Sequence, residues 1–162
     1  MSLTGDFAKL EALIKRAADV PSLMNKIKQH AAMEARRQIR RTFVESRDPY
    51  GNPWAPLKLR KGKPLRLTGA LSNFVVTQTG DGFLVTTAAP YAATHQYGAT
   101  IAAKRAPWLT FSVGKRWFRA KQVTIPKRQM IPEGTWGDIW TEAFTQRFEA
   151  IVDEWAAGKQ AA

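Results

Sequence analysis

Three prolines bracket one short stretch, Asp48-Pro49-Tyr50-Gly51-Asn52-Pro53-Trp54-Ala55-Pro56, and this stretch limits what the chain can build more than any other. Asp at the first turn position accepts a backbone hydrogen bond, Pro at the second presets φ, and Gly suits the fourth, which predicts a type I turn. Pro49 lacks an N–H and moves Asp48 out of the helical region, so a helix arriving from the N-terminal side must stop here. Such a helix does arrive. Leu23, Ile27, Ala31, Ala35, Ile39 and Phe43 recur every fourth residue behind Pro21, and they give one apolar face. Trp54, held extended between prolines, reads as a large side chain filling a gap in the core.

Other segments read by local pattern. Residues 5–19 suit a short amphipathic N-terminal helix within 1–20, with Phe7, Leu10, Leu13 or Ile14, and Ala17 on one stripe. Thr68-Gly69 reads as the start of a short helix bearing Leu71. Residues 74–79 and 83–87 are β-rich around Gly80-Asp81-Gly82, which predicts a hairpin with Asp81 as a turn residue. Tyr91, His95 and Gly98 fall on one face of a single helical turn stopped by glycine. Residues 108–113 and 117–125 suggest two further strands about Gly114-Lys115. A last helix is expected from Pro132 and Thr135 to about Ala157, with Trp136, Trp140, Phe144, Phe148, Ile151 and Trp155 on one stripe. Gly158 stops it, and 158–162 is expected to be a disordered tail. The expected fold is α+β: an antiparallel sheet of about four strands with the two long helices packed on one face, plus short helices and an extended basic hairpin. All 162 residues fit one domain.

The order of these signals is more specific than any one of them. Phe43, Asp48-Pro49, Gly51, Trp54 and Pro56 are followed by Leu67-Thr68-Gly69 and Leu71, then Tyr91-Ala92, His95-Gln96 and Gly98, and later Pro126 and Arg128. In this order the chain resembles the phage virion morphogenesis family over roughly residues 30–150. It departs at Gln129-Met130, where the family usually has Pro-Phe or a similar pair. The resemblance implies a structural virion assembly protein of a tailed phage or prophage, acting in tail completion or head–tail joining as part of a neck or tail-terminator ring. Its implied partners are further copies of itself, commonly a closed ring of about six (a hexamer), together with tail-tube and neck or connector proteins. The implied location is the virion, after synthesis in the bacterial cytoplasm. No chemistry is implied.

Charge adds the second theme. The formal net charge is +12, and it is unevenly placed: residues 36–132 hold eighteen Lys/Arg against three Asp/Glu, whereas residues 133–162 hold two against six. Arg36, Arg37, Arg40 and Arg41 lie opposite the apolar face of the first long helix, either solvated or meeting nucleic acid or an acidic partner. The loop 57–66, with Arg60, Lys61 and Lys63, is likewise solvated or anion-binding. In 99–121, Lys104, Arg105, Trp108, Arg116, Trp117 and Arg119 interleave cations with aromatics. That pattern suits base stacking on nucleic acid, and it suits equally a hairpin docking on a neighbouring subunit; the family resemblance favours docking. Glu142, Glu149 and Glu154 on the last helix are the candidate acidic counterpart on an adjacent copy. The alternative function is a basic nucleic-acid-binding protein using the 57–66 and 99–121 segments, and non-specific DNA contact is compatible with either reading.

Signals for catalysis are missing from the sequence. His30 and His95 have no thiol or carboxylate at ligand spacing, no nucleophile accompanies either, and no phosphate-binding glycine pattern occurs. His95 reads as a packed structural residue. Neither an enzyme nor a cofactor or metal is expected. No cysteine, signal peptide or membrane span is found in the sequence.

Overall fold

The computed structural model describes residues 15–157. The expected helix at 5–19 lies mostly outside that range, although Lys15–Ala18 are helical, and the tail at 158–162 lies outside it altogether.

Helix α1 (Val20–Glu45) begins with Pro21 in its first turn and ends at Ser46, which is left-handed at φ 56°. The four-residue repeat has the expected result: Ala31, Ala35, Ile39 and Phe43 are buried, while Arg36, Arg37, Arg40 and Arg41 stay exposed. A 3₁₀ turn at Ala70–Ser72 buries Leu71. Its cap is Gly69, at φ 74°, rather than the Thr68 side chain. Strands β1 (Phe74–Gln78) and β2 (Phe83–Thr87) form the expected hairpin, in antiparallel register with Val76 opposite Val85. Helix α2 (Ala92–Tyr97) stops at Gly98. Then come β3 (Ala99–Ala102), β4 (Leu109–Val113), β5 (Arg116–Ala120) and β6 (Gln122–Ile125). Helix α3 (Asp138–Ala156) is the last element of the described residues.

The core lies between α1, the inner face of the β1–β2 hairpin and α3. Phe83 from the hairpin stacks on Phe144 of α3 at 6.1 Å, and Phe144 in turn stacks on Trp140 at 6.0 Å. Phe43 of α1 meets Trp54 edge-on at 5.4 Å. Offset and edge-on contacts at these distances are the favoured aromatic geometries. The helical stripe of α3 accounts for Trp140, Phe144 and Ile151 in the core, while Trp136 lies before the helix. The helix starts at Asp138, with Gly137 as its cap, later than Pro132 and Thr135 suggest.

The expected four-stranded sheet with both helices on one face is not found. The strands form three two-stranded antiparallel ladders, β1–β2, β3–β6 and β4–β5. Only the first lies on the helices. The other two are nested: Ala99 pairs with Ile125 and Ala102 with Gln122, the Ala103 N–H donates to Lys121 O at 3.0 Å, and the pairing resumes from Leu109–Ala120 to Val113–Arg116. The predicted single strand 117–125 is therefore β5 and β6 in succession, and its root partner β3 carries no strong strand signal of its own. Together they make an arm, residues 99–125. It has one half-buried apolar face and a polar, basic one, so it offers no second apolar face for packing into a larger sheet.

Candidate functional site

Ten of the family-pattern residues, Leu67-Thr68-Gly69 and Leu71 not among them, meet at the root of this arm. Three segments far apart in sequence, 47–56, 95–98 and 126–131, are bound there into one clasp.

The first segment is the proline-bracketed turn. Gly51 N–H donates to Asp48 O at 3.0 Å, closing the predicted turn. The Asp48 carboxylate then accepts from Tyr50 N, Asn52 N and Asn52 Nδ2, at 2.9, 2.9 and 3.0 Å. A single side chain thus satisfies two backbone donors of a segment whose prolines supply none. Gly51 is at φ 91°, a conformation glycine adopts without Cβ strain. Pro49 is fully buried. Trp54 is buried and donates from Nε1 to Gln129 O at 2.9 Å, which ties the turn to the third segment.

The second tie is Arg128. Only 6% exposed, it donates from Nε to Ala55 O at 2.9 Å and from Nη2 to Pro56 O at 3.3 Å. Burial lowers its pKa, and the nearby Arg60 lowers it further. No carboxylate pairs with it among the described residues; carbonyl oxygens carry the contact instead. The third tie is Gln96. Its Oε1 accepts from Met130 N at 2.9 Å and Ile131 N at 3.3 Å, while Nε2 donates to Ile131 O at 2.8 Å. A buried primary amide that matches backbone donors and acceptor in this way works as a short β-ladder. His95 O accepts from Arg128 N at 2.7 Å. The His95 ring packs edge-on to Tyr91 at 6.0 Å. Its pKa is lowered, first by burial and then by Arg128.

Gly98 sits at φ 76°, and a Cβ there would lie 3.0 Å from Lys127 N and 3.2 Å from Ile125 O. The two rails of the arm therefore leave the body back to back, one after Gly98 and the other before Pro126. From Tyr97 to Lys127 no side chain is buried. Leu109, Phe111, Val113, Phe118 and Ala120 form the arm's half-buried face, with Phe111 and Phe118 stacked at 5.8 Å. Arg116 lies over Phe118 at 5.5 Å and Lys121 over Trp108 at 5.7 Å. Trp117, near the tip, is 74% exposed. Lys104, Arg105 and Arg119 are exposed as well.

A match to the profile of the phage virion morphogenesis family covers residues 6–151. The chain belongs to that family. Membership makes it a virion-associated phage protein with a role in assembly, and points to structural rather than catalytic work. No curated protein and no solved structure matches it at a significant level.

The remaining candidate residues of this family member are more dispersed. Lys63 donates to Val44 O at 3.0 Å, at the end of α1, and Arg60 folds back on Lys61 O and Lys63 O at 3.4 Å each. Lys61 is exposed. Thr68 Oγ1 accepts from Ala70 N at 3.4 Å. Glu142 and Glu149 are exposed on α3, whereas Glu154 pairs with Lys26 of α1 at 3.0 Å. That pair lowers the Glu154 pKa, through the hydrogen bond first and charge second. Among the described residues no group of three or more His, Asp or Glu is placed to hold a metal ion, and no helix is long and apolar enough to cross a membrane.

Two contacts escaped the sequence reading. Tyr50 Oη donates to Glu133 O at 3.0 Å and accepts from Glu133 N at 3.2 Å. Gly137 sits so close that a Cβ would be 2.7 Å from Tyr50 Cδ1. Together they fix the entry of α3 against the turn. The Gln129-Met130 departure from the family pair also proves well accommodated: Met130 is fully buried, and Gln129 Nε2 donates to Ile131 O at 3.1 Å.

Proposed function

We propose that this protein acts in tail completion or head–tail joining, as a component of the neck or of a tail-terminator ring. The observation that carries the reading is the arm at 99–125, mounted on a rigid clasp and without a buried side chain of its own. A monomer gains nothing by holding a long two-stranded ribbon away from its core, because an isolated ribbon of this kind is marginal in water. A protein that joins other proteins gains a reaching element whose direction is set before contact, which reduces the ordering cost of association. A ring through which DNA passes also needs repeated contacts between identical copies, and a heterologous contact that closes provides them.

A second reading has its own observation. Exposed Trp117 and Trp108 lie beside Arg119 and Lys121, an arrangement able to stack single-stranded bases and neutralise phosphates. Retention on DNA over a salt gradient separates the two, since a phosphate binder loses affinity steeply as salt rises.

Electron microscopy of lysates from the parent phage with this gene deleted tests the first reading. Separate DNA-filled heads and full-length tails establish joining, and tails of irregular length establish termination. Normal infectious particles overturn the proposal.

A further inference from the structure

We infer that the arm of one copy seats along the outer face of α3 of a second copy. The inference rests on the assembly reading above and identifies the two surfaces involved. Residues 99–125 hold Lys104, Arg105, Lys115, Arg116, Arg119 and Lys121 and no acidic residue. Among the described residues, none of these six cations has a carboxylate partner. The arm is thus a basic ribbon with its stacked aromatic face half open.

The complementary surface is on the same chain. Asp138, Glu142, Glu149 and Asp153 are spaced by four, seven and four residues, which at about 100° per residue puts them within roughly 60° of arc on one side of α3. All four are exposed, and none pairs with a cation among the described residues. The buried Trp140, Phe144 and Ile151 occupy the opposite side. Glu154 and Arg147 fall outside the stripe, with Glu154 held by Lys26 and Arg147 by His30. Exposed Val152 flanks the carboxylates with an apolar spot.

The dimensions also fit. The stripe spans roughly 22 Å at about 1.5 Å per residue, and the rail from Arg116 to Ile125 runs for roughly 30 Å at about 3.3 Å per residue. A strand pair laid along a helix with its basic face inward can set Trp117 near Val152 and bring Arg119 and Lys121 to the carboxylates, with Phe111 and Phe118 on the ribbon's other face. Within one copy the arm strands make no substantial contact with α3. Because arm and stripe are different surfaces, each copy donates one and offers the other, which is the heterologous contact a ring requires.

A charge swap tests this by sedimentation velocity. One variant carries Arg119→Glu with Lys121→Glu, and the other carries Glu142→Lys with Glu149→Lys. All four positions are exposed, so circular dichroism and melting should match the parent. The expected result is that the unaltered protein self-associates, that each variant alone sediments as a monomer, and that an equimolar mixture regains at least a one-to-one dimer. The mixture must associate because the second variant keeps its basic arm and the first keeps its acidic helix. Self-association of the parent should also weaken at least about tenfold on going to ~1 M salt, where the screening length is only about 3 Å.

Variants that assemble like the parent, a mixture that stays monomeric, or a parent that is monomeric throughout would each overturn the inference. So would duplex DNA retained by the parent and released by the arm variant in the absence of self-association, which assigns the arm to DNA. Separated heads and tails in the deletion lysates, combined with an unrescued charge swap, would keep the assembly role and reject only this pair of surfaces.

Discussion

The clasp and the arm adjoin in sequence and follow opposite rules. In the clasp, Asp48, Gln96 and Arg128 each make several hydrogen bonds to backbone, Trp54 is buried against Phe43, and Gly98 permits an approach a Cβ would obstruct. In the arm, starting at that same glycine, nothing is buried and every cation is without a carboxylate among the described residues. The difference separates folding from function. Stability should depend on the clasp and hardly on the arm, and association should depend on the arm's charges once the clasp holds.

The strongest challenge to this division is Trp54→Ala. It removes a buried aromatic and leaves Gln129 O without its donor, so a loss of about 3–5 kcal/mol is expected in urea unfolding. On a domain of ordinary stability that is about a fifth of the total or more. A loss below about 1 kcal/mol would mean that the turn is not part of the cooperative unit.

Next in size is Arg128→Met, which keeps the aliphatic bulk and removes the donors to Ala55 O and Pro56 O. The cost should be about 2–3 kcal/mol, because two carbonyls lose their partner in a largely buried setting. The Arg–carbonyl contact has a limit, since the buried cation has no counter-ion and its desolvation offsets part of the gain. A neutral or stabilising result would show that the offset is complete. Gly98→Ala follows at about 1–3 kcal/mol, from the positive φ and the Lys127 backbone 3.0 Å away.

At the other pole is Trp117→Ala. The side chain is exposed and packs on no core residue, so unfolding should move by no more than about 0.5 kcal/mol. Association should fall by at least tenfold, if an exposed aromatic on the arm is an anchor worth upwards of about 1.4 kcal/mol. A variant that unfolds early, or associates normally, would erase the contrast between the two regions.

The sequence made the clasp's parts legible but not their meeting. The turn at Asp48–Gly51, the α1 stripe and the β1–β2 hairpin all announce themselves locally, since proline, glycine and periodicity act over a few residues. Gln96 does not, because a polar residue in a short helix gives no sign that its amide will face a segment more than thirty positions away. β3 is similar. Ala99–Ala102 has only Thr100 and Ile101 as strand formers between two alanines, too short a run to announce a strand without its pairing with β6. The expected four-stranded sheet failed for a related reason: strand patterns reveal alternation but not which ladders share an edge. Charge was legible as a total, and the helical spacing of Glu142, Glu149 and Asp153 was legible with it, whereas the diversion of Glu154 to Lys26 depended on the packing of α3 against α1.

The smallest effect concerns pH, and it falls outside the arm. The His95 pKa is lowered from the ordinary 6.5, by burial first and by the Arg128 guanidinium second. A lowered histidine pKa means that the unfolded chain binds a proton the folded chain resists, so stability rises with pH across the window just below 6.5. The contribution is fully present above about pH 7 and declines as the pH drops through 6.5 and below. His30, lowered by burial and by Arg147, adds a change of the same sign from the α1–α3 contact. Urea midpoints measured at pH 7.5 and 5.5 should therefore drop for the parent and drop less for His95→Gln, which keeps the polar bulk and cannot titrate. Among the described residues the arm has no histidine, so the charge-swap variants should keep the parent's pH slope in unfolding. A slope unchanged in His95→Gln would place the titrating group at His30 instead. A slope altered by the arm substitutions would mean that arm and clasp are coupled, and the separation of folding from association would have to be given up.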